Sequence, residues 1–297
     1  LTREIVVVSG KGGVGKTTVS ASLAYYLHSE GYSIVASDAD VDTPSLKLLL
    51  PIKRDVYRED IEISTKAVID ESKCTKCLKC LEYCSYGAIE VGLDGYPKVI
   101  RYMCEGCGVC KLVCPSGAVK LVKAKTGELV IAETKYGFPM VTAQLEVGEH
   151  NSGLLVGAVR NRASNLSEER SADFILTDGA PGIGCPVIAA LVGASYTIIV
   201  VEPTPQSLQG ALRVKGVADH FKVPSGAIIN KSNISSYVNE VRRALRASGV
   251  DVLGEVPLDY EVLRAIAFRM PILEFNRNSR ASRSLLVAFK NLMDVLP

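Results

Sequence analysis

The stretch SGKGGVGKT, residues 9–17, constrains this chain more than any other. It follows a β-branched run at residues 5–8, and residues 17–28 then carry helical spacing. A strand that enters a glycine-rich loop and leaves it as a helix is a βα unit. Gly10, Lys11, Gly12, Gly13, Val14, Gly15, Lys16 and Thr17 satisfy G-x-x-x-x-G-K-[ST]. The glycines let backbone N–H groups converge on phosphate oxygens, and the helix adds the positive end of its dipole. In that arrangement Lys16 reaches the β- and γ-phosphates and the Thr17 hydroxyl binds Mg2+; Thr18 completes the nucleotide-binding set. A glycine-rich turn without a ligand leaves the flanking strand and helix unexplained.

The rest of the chain extends this unit. Residues 33–37 (SIVAS) read as a second strand ending at Asp38, and residues 45–50 as a helix stopped by Pro51. The rhythm then fails: residues 53–60 (KRDVYRED) read as a charged linker, and a cysteine-rich stretch follows. Residues 127–134 and 138–145 read as a hairpin turning at 135–137. Alternation resumes with helices at 151–163, 186–194, 206–220 and 236–248, strands at 174–177, 197–201, 227–230 and 252–256, and two terminal helices. The expected fold is α/β, a P-loop NTPase with a mostly parallel sheet flanked by helices, interrupted by a module. The ATPase domain takes residues 1–60 and 126–297, and a small α+β insert takes 61–125. Three stretches sit at C-terminal ends of strands, where ligands of such sheets bind: Asp38-Ala39-Asp40, Asp178 entering GAPGIG, and Asn230, placed to read a base edge. Singly each is weak, since acidic residues also end strands as caps and turn formers.

Eight of the nine cysteines lie between positions 74 and 114. Cys74, Cys77, Cys80 and Cys84 are spaced C-x2-C-x2-C-x3-C; Cys104, Cys107, Cys110 and Cys114 repeat the run, and Pro115 follows. In that bacterial ferredoxin pattern the fourth cysteine ligates the other cluster. One [4Fe–4S] cluster would use Cys74, Cys77, Cys80 and Cys114, and the second Cys104, Cys107, Cys110 and Cys84. CSYGAI at 84–89 answers CPSGAV at 114–119, so the insert reads as two related halves held together by metal. Ser85 stands where the first half would carry proline, which touches only a local turn. Zinc is the alternative, but four-cysteine zinc sites usually come as separated pairs. Between positions 70 and 120 seven Lys/Arg face six Asp/Glu, which gives no acidic docking face.

GKGGVGKT resembles the deviant phosphate loop of the MinD/ParA ATPases, a group that includes the nitrogenase iron protein and Mrp-type iron–sulfur carriers. SDADVDTPS (37–45) matches its switch I, DGAPG (178–182) its switch II, and Asn230-Lys231 its adenine-reading position. The resemblance implies that Lys11 crosses a dimer interface to the partner's nucleotide, that Asp40 orients the attacking water and that Asp178 holds a Mg2+-bound water, with Asp38 as a helper. Gly182 would sense the γ-phosphate. Together with the insert, and with GIGCPV (182–187), the chain resembles MinD-type ATPases that carry an inserted ferredoxin domain. It implies an ATP-dependent homodimer, or a heterodimer with a paralogue, that hydrolyses ATP and acts on a redox or metallocluster client. A cluster scaffold or carrier of the Mrp type is the alternative, and a Min/Par-like positioning ATPase a weaker one. An amidoligase of the cobyrinic acid synthase type shares the fold, but no glutaminase-like domain follows residue 230.

A net charge of +2 over 297 residues gives no field that would draw nucleic acid, and Arg242, Arg243 and Arg246 read as a solvated helix face. The most apolar stretch, residues 187–201, is broken by Gly193-Ala194-Ser195 and is too short to span a bilayer. Residues 1–9 read as a strand rather than a leader, and the leucine at position 1 suggests that the first residues are processed or missing. Clustered cysteines without a disulfide framework fit a reducing cytoplasm. Residues 282–297 form an amphipathic helix with only Arg280, Arg283 and Lys290 as basic residues near it, so packing on the sheet is expected rather than membrane binding. Cys185, seven residues after Asp178, reads first as a small packed hydrophobe and second as a ligand of a cluster bridging a dimer. His28 and His220 fall in expected helices, and His150 is a lone histidine before one.

Overall fold

β1 (Arg3–Ser9) is buried along most of its length, and its side chains divide between two layers. Ile5 and Val7 pack on one side of the sheet, Val6 and Val8 on the other, as the two-residue period of a strand requires. The computed structural model describes residues 2–149 and 152–296; His150 and Asn151, where a lone histidine and a helix start were expected, lie outside them. After β1 come α1 (Lys16–Ser29), β2 (Ile34–Asp38) and α2 (Leu46–Leu49), close to the expected bounds.

The charged linker at 53–60 is instead a strand, β3 (Ile52–Ile61). Its side chains are largely exposed because it is the edge of the sheet, where charge discourages pairing with another chain. The insert follows as β4 (Ser64–Ile69), α3 (Lys79–Glu82), β5 (Ile89–Val91), β6 (Pro97–Val99), a 3-10 turn at Arg101–Met103, α4 (Val109–Leu112) and β7 (Val119–Ala124). β4 pairs antiparallel with β7, and β5 with β6. A small core of its own forms from Ala67, Ala88, Ile89 and Val119 together with Cys80, Cys104 and Cys110.

β8 (Gly127–Thr134) and β9 (Pro139–Leu145) form the expected hairpin, turning through Gly137 at φ 93°. The chain then runs through α5 (Ser152–Glu169), β10 (Phe174–Pro181), α6 (Cys185–Leu191), β11 (Tyr196–Val201), α7 (Pro205–His220), β12 (Ser225–Asn230), α8 (Val238–Ala247) and β13 (Asp251–Val256). Three helices end it, not the two expected: α9 (Tyr260–Ala267), α10 (Ile272–Phe275) and α11 (Arg280–Val295). The sheet order is β13-β12-β11-β1-β10-β2-β9-β8-β3, parallel from β13 to β9 and antiparallel over the last two pairings. α5 to α8 cover one face, α1, α2 and α9 to α11 the other. α11 lies on β13 through Leu285, Ala288, Phe289 and Leu292, the packing expected of it, and Gly254 on β13 leaves the room that Ala288 takes. Arg242 on α8 is not merely solvated; it clamps Glu255 of β13 with two bonds of 2.6 and 3.0 Å. Among the described residues no helix is long and apolar enough to cross a membrane.

Candidate nucleotide and metallocluster sites

Parallel pairing places the candidate residues. Val7 of β1 lies beside Asp178 of β10, and Asp178 beside Asp38 of β2, so the loop after β1 opens directly over two carboxylates. Gly13 and Gly15 adopt φ of 79° and 96°, conformations that favour glycine, and Gly15 caps α1. Gly10 has a second constraint: a Cβ there would lie 2.0 Å from the Gly210 carbonyl carbon on α7. The loop is therefore pressed against a helix some 200 residues away in sequence.

Asp178 is the hub of the site and is fully buried. Its Oδ1 accepts from Lys16 Nζ at 3.0 Å and from Ser20 Oγ at 2.7 Å, and its Oδ2 accepts from Thr17 Oγ1 at 2.7 Å. Asp40 Oδ2 lies 3.7 Å from the same lysine nitrogen. Burial alone would lower the Lys16 pKa, but Asp178, Asp40 and Asp38 together hold it above the ordinary lysine value. Asp38 is buried and sits against Asp178; burial first, and that carboxylate second, push it up to about 8. Its oxygens accept from the amides of Leu46 (2.9 Å) and Asp40 (3.3 Å), which fixes the segment after β2 on the end of that strand. Asp40 is also raised, chiefly by burial, against the pull of Lys16.

On the other flank Asn230 Nδ2 donates to Val14 O at 2.7 Å, and Lys231 Nζ donates to Gly13 O at 2.9 Å. The Gly182 amide donates to Ser9 O at 2.8 Å, so the segment after β10 is tied to the start of the glycine-rich loop. Lys11 does not point freely outward. Its Nζ lies 3.0 Å from Glu202 Oε1, and Lys231 Nζ lies 3.0 Å from Glu202 Oε2. Those two hydrogen bonds outweigh burial and hold the Glu202 carboxyl below its usual range.

In the insert, Cys84 from the first run meets Cys104, Cys107 and Cys110 from the second around one cavity of about 20 Å³, closed by Ala67, Ile89 and Leu121. Cys80, whose thiol burial pushes up, also feels Cys74 and Cys114. The four cysteines expected to form the second quartet thus line one cavity, and of the first quartet Cys74, Cys80 and Cys114 lie near one another. Backbone amides aim at the sulfurs: Ala67 N lies 3.4 Å from Cys104 Sγ, Ala88 N 3.4 Å from Cys84 Sγ and Ala118 N 3.3 Å from Cys114 Sγ. Among the described residues, no three His, Cys, Asp or Glu side chains converge as tightly as ligands of a single ion do. The donor set around this cavity is all sulfur, with backbone N–H groups beside it, which is the donor chemistry of soft-metal and iron–sulfur sites rather than of hard cations. Cys185 is exposed at the start of α6, with its Cβ against Gly153, and is not the buried hydrophobe expected.

Residues 5–272 match the CbiA family, described as the CobQ/CobB/MinD/ParA nucleotide binding domain. The chain belongs to this family. An uncharacterized protein of Methanocaldococcus jannaschii is 33% identical over 99% of this chain and 97% of its own length. An iron-sulfur cluster carrier protein of Pyrococcus abyssi is 21% identical over 97% of this chain and 84% of its own. The fold is also that of the septum site-determining protein MinD of Pyrococcus horikoshii, solved with Mg-ADP: TM-score 0.61 at 18% identity, covering 98% of this chain and 96% of that one.

Within this CobQ/CobB/MinD/ParA domain, Lys16, Thr17, Asp38, Asp40 and Asp178 come together at one end of the sheet, with Gly182 and Asn230 against the loop. Sequence reasoning missed Ser20, Glu202 and Gly210. Ser20 could have been found, because it lies four residues after Lys16 on the same helix face. Glu202 follows β11 and sits, like the other site carboxylates, at the C-terminal end of a strand.

Proposed function

We propose that the protein binds and hydrolyses ATP, that two subunits close on the nucleotide, and that closure acts on two [4Fe–4S] clusters held by residues 61–125. The outcome would be electron transfer to, or metallocluster assembly on, a client protein. One observation carries the reading: a Lys16–Thr17–Asp178 triangle and a cavity shared by cysteines of both runs occur in the same chain.

The triphosphate would take over Lys16 from Asp178 and Asp40, which now supply its anionic partners. Thr17, and Asp178 through water, would hold Mg2+, which neutralises phosphate charge. Asp40 would orient the water whose oxygen bonds to the γ-phosphorus as the bond to the β–γ bridging oxygen breaks, yielding ADP and phosphate. Lys11, released from Glu202, would reach the nucleotide of the second subunit. Gly182, bonded to Ser9 O, would report the γ-phosphate through the loop it begins. In the insert, Cys74, Cys77, Cys80 and Cys114 would hold one cluster and Cys104, Cys107, Cys110 and Cys84 the other. Bound clusters supply one-electron chemistry, with potentials set by charge, hydrogen bonds to sulfur and exposure.

The deciding experiment is anaerobic purification, an iron count, and cluster EPR and reduction potential with ADP and then with an ATP analogue. Iron near two clusters per chain and a nucleotide-dependent spectrum or potential support the reading; zinc in place of iron, or no nucleotide response, removes it. The name of the Pyrococcus abyssi relative favours a second reading, in which a cluster is handed on. Transfer of iron and sulfide to an apo-ferredoxin, dependent on ATP, would select it.

A further inference from the structure

A buried ion pair sits where the insert meets the ATPase sheet. Lys66 of β4 is 5% exposed, and its Nζ lies 2.7 Å from Oε1 of Glu149, whose side chain is 7% exposed. The same nitrogen donates to Cys104 O at 2.8 Å. Glu149 belongs to the segment after β9, and its Oε2 accepts from Ser64 Oγ at 2.6 Å. Thr126, fully buried, donates to Ser64 Oγ at 3.0 Å and accepts from the amides of Ile63 (2.9 Å) and Ser64 (2.8 Å). A continuous polar chain therefore runs from Thr126 through Ser64, Glu149 and Lys66 to a cysteine carbonyl.

Each end of this chain touches working parts. The amide of Glu146 donates to Thr126 O at 2.9 Å, and the preceding amide, Leu145, donates to Val41 O at 2.9 Å. Val41 follows Asp40 in switch I. At the far end Ala67, next to Lys66, aims its amide at Cys104 Sγ at 3.4 Å. Thr65, on the other side of Lys66, presses its carbonyl so close to Gly106 that a Cβ there would lie 2.1 Å away. Gly148 lies against Tyr102, two residues before Cys104.

A buried ion pair contributes little net stability, because desolvation cancels most of its attraction. Its value lies in geometry: it admits one arrangement of its partners. We propose that the Lys66–Glu149 pair, with Ser64 and Thr126, is the joint that couples switch I to the sulfur ligands around Cys104. It rests on the proposed function. A shift of Asp40 and Val41 on nucleotide binding moves the end of β9, and Glu149 with it. Glu149 carries Lys66, and β4 then changes the N–H···S contact at Cys104 and the position of the ammonium beside it. Lys66 and Glu149 are positioning residues; neither touches nucleotide.

The test compares the full chain with the double variant Lys66→Met/Glu149→Met, which replaces the pair by apolar side chains and keeps the volume filled. Amide hydrogen exchange and midpoint potentials are both followed on anaerobically loaded protein, each with and without a non-hydrolysable ATP analogue. In the wild type the analogue slows exchange at both residues 9–18 and residues 102–108, the latter by about fivefold or more, the low end of a coupling between sites. In the double variant the response at 9–18 persists, that at 102–108 is lost, and the nucleotide-induced shift in potential falls by at least about half. If the double variant does not fold, Glu149→Gln is read in the same way. A retained response at 102–108 in the variant, or none in the wild type, overturns the joint while ATP binding stands. Absence of any response at 9–18 overturns the proposed function itself.

Discussion

Glu202 holds Lys11 inside its own subunit, so if two subunits close on ATP as proposed, Glu202→Gln should make that dimerisation easier. The carboxylate bonds two lysines, but only one pairing differs between the states compared. In the proposed dimer Lys11 leaves Glu202 for a neighbouring nucleotide, whereas Lys231 has a second acceptor, Gly13 O at 2.9 Å, within its own subunit. The Lys11 side chain is 41% exposed and that of Glu202 10%. Exposed pairs are worth 0.2–1 kcal/mol, and the shielded carboxylate puts this one at the upper end, about 1 kcal/mol. Each dimer releases two such pairs, so removing the penalty shifts the dimer constant by about thirtyfold and the ATP midpoint, with two nucleotides bound per dimer, by its square root, about fivefold. Because the Glu202 carboxyl lies below its usual range, the latch is present at neutral pH and is lost only as pH falls through that lowered value.

The assay is sedimentation equilibrium across an ATP titration, in an Asp40→Ala background, which the proposed mechanism expects to block hydrolysis. The ATP concentration giving half dimer should drop about fivefold in Glu202→Gln. Lys11→Ala should weaken the dimer, and adding Glu202→Gln to it should restore nothing, because the freed cation is absent. A midpoint that stays within about twofold, or a gain that survives in the Lys11→Ala background, refutes the idea that Glu202 competes for Lys11.

Cys84→Ser should lower iron from about eight to about four per chain and remove the same EPR signal as Cys104→Ser, although the two cysteines belong to different runs; loss of the Cys74 signal instead would show uncrossed ligation. Gly106→Ala should cost at least about 2 kcal/mol, because φ is 64° and the added carbon meets Thr65 O at 2.1 Å. A thermal melt together with iron content measures it. Asp259 caps α9 and accepts from the amides of Glu261 and Ala281, both at 3.1 Å, so Asp259→Ala should cost about 1 kcal/mol at pH 7. Despite burial those bonds hold the Asp259 carboxyl below its usual value; the stabilisation is therefore present above the unfolded value and lost as pH falls through the lowered one. Melts of the variant and the wild type should converge on acidification.

The sequence was most legible where one local pattern decides the structure. The loop 9–17, the hairpin turning at Gly137 and the helix on β13 follow from spacing, glycine conformation and amphipathicity alone. Residues 53–60 were illegible for a physical reason: an edge strand need not alternate, since neither of its faces is packed over most of its length, so β3 has the composition of a linker. Glu202 was hidden differently. Its meeting with Lys11 spans 191 positions and is created by β11 lying next to β1, a neighbour relation that no window of residues contains. Lys66 and Glu149 were hidden in the same way, each looking like an ordinary surface charge until β4 and the segment after β9 came together.

The placement of β3 gives the insert its mechanical meaning. A module joined by two flexible linkers would drift relative to the nucleotide, and no motion of switch I could reach it. Here both crossings are strands: β3 leads into the insert and β8 leads out, paired with each other from Ile52 opposite Thr134 to Ile61 opposite Gly127. β8 pairs in turn with β9, and β9 lies beside β2, with Thr142 next to Asp38. The exit and the entry of the insert are thus two and three strands, respectively, from the strand that carries Asp38. The Thr126 amide donates to Ile61 O at 2.7 Å, closing the neck at the point where both strands leave the sheet. A charged edge strand is the simplest way to make such a neck stiff on one side and inert to other chains on the other. The KRDVYRED segment is therefore a paired strand of the sheet, not a tether.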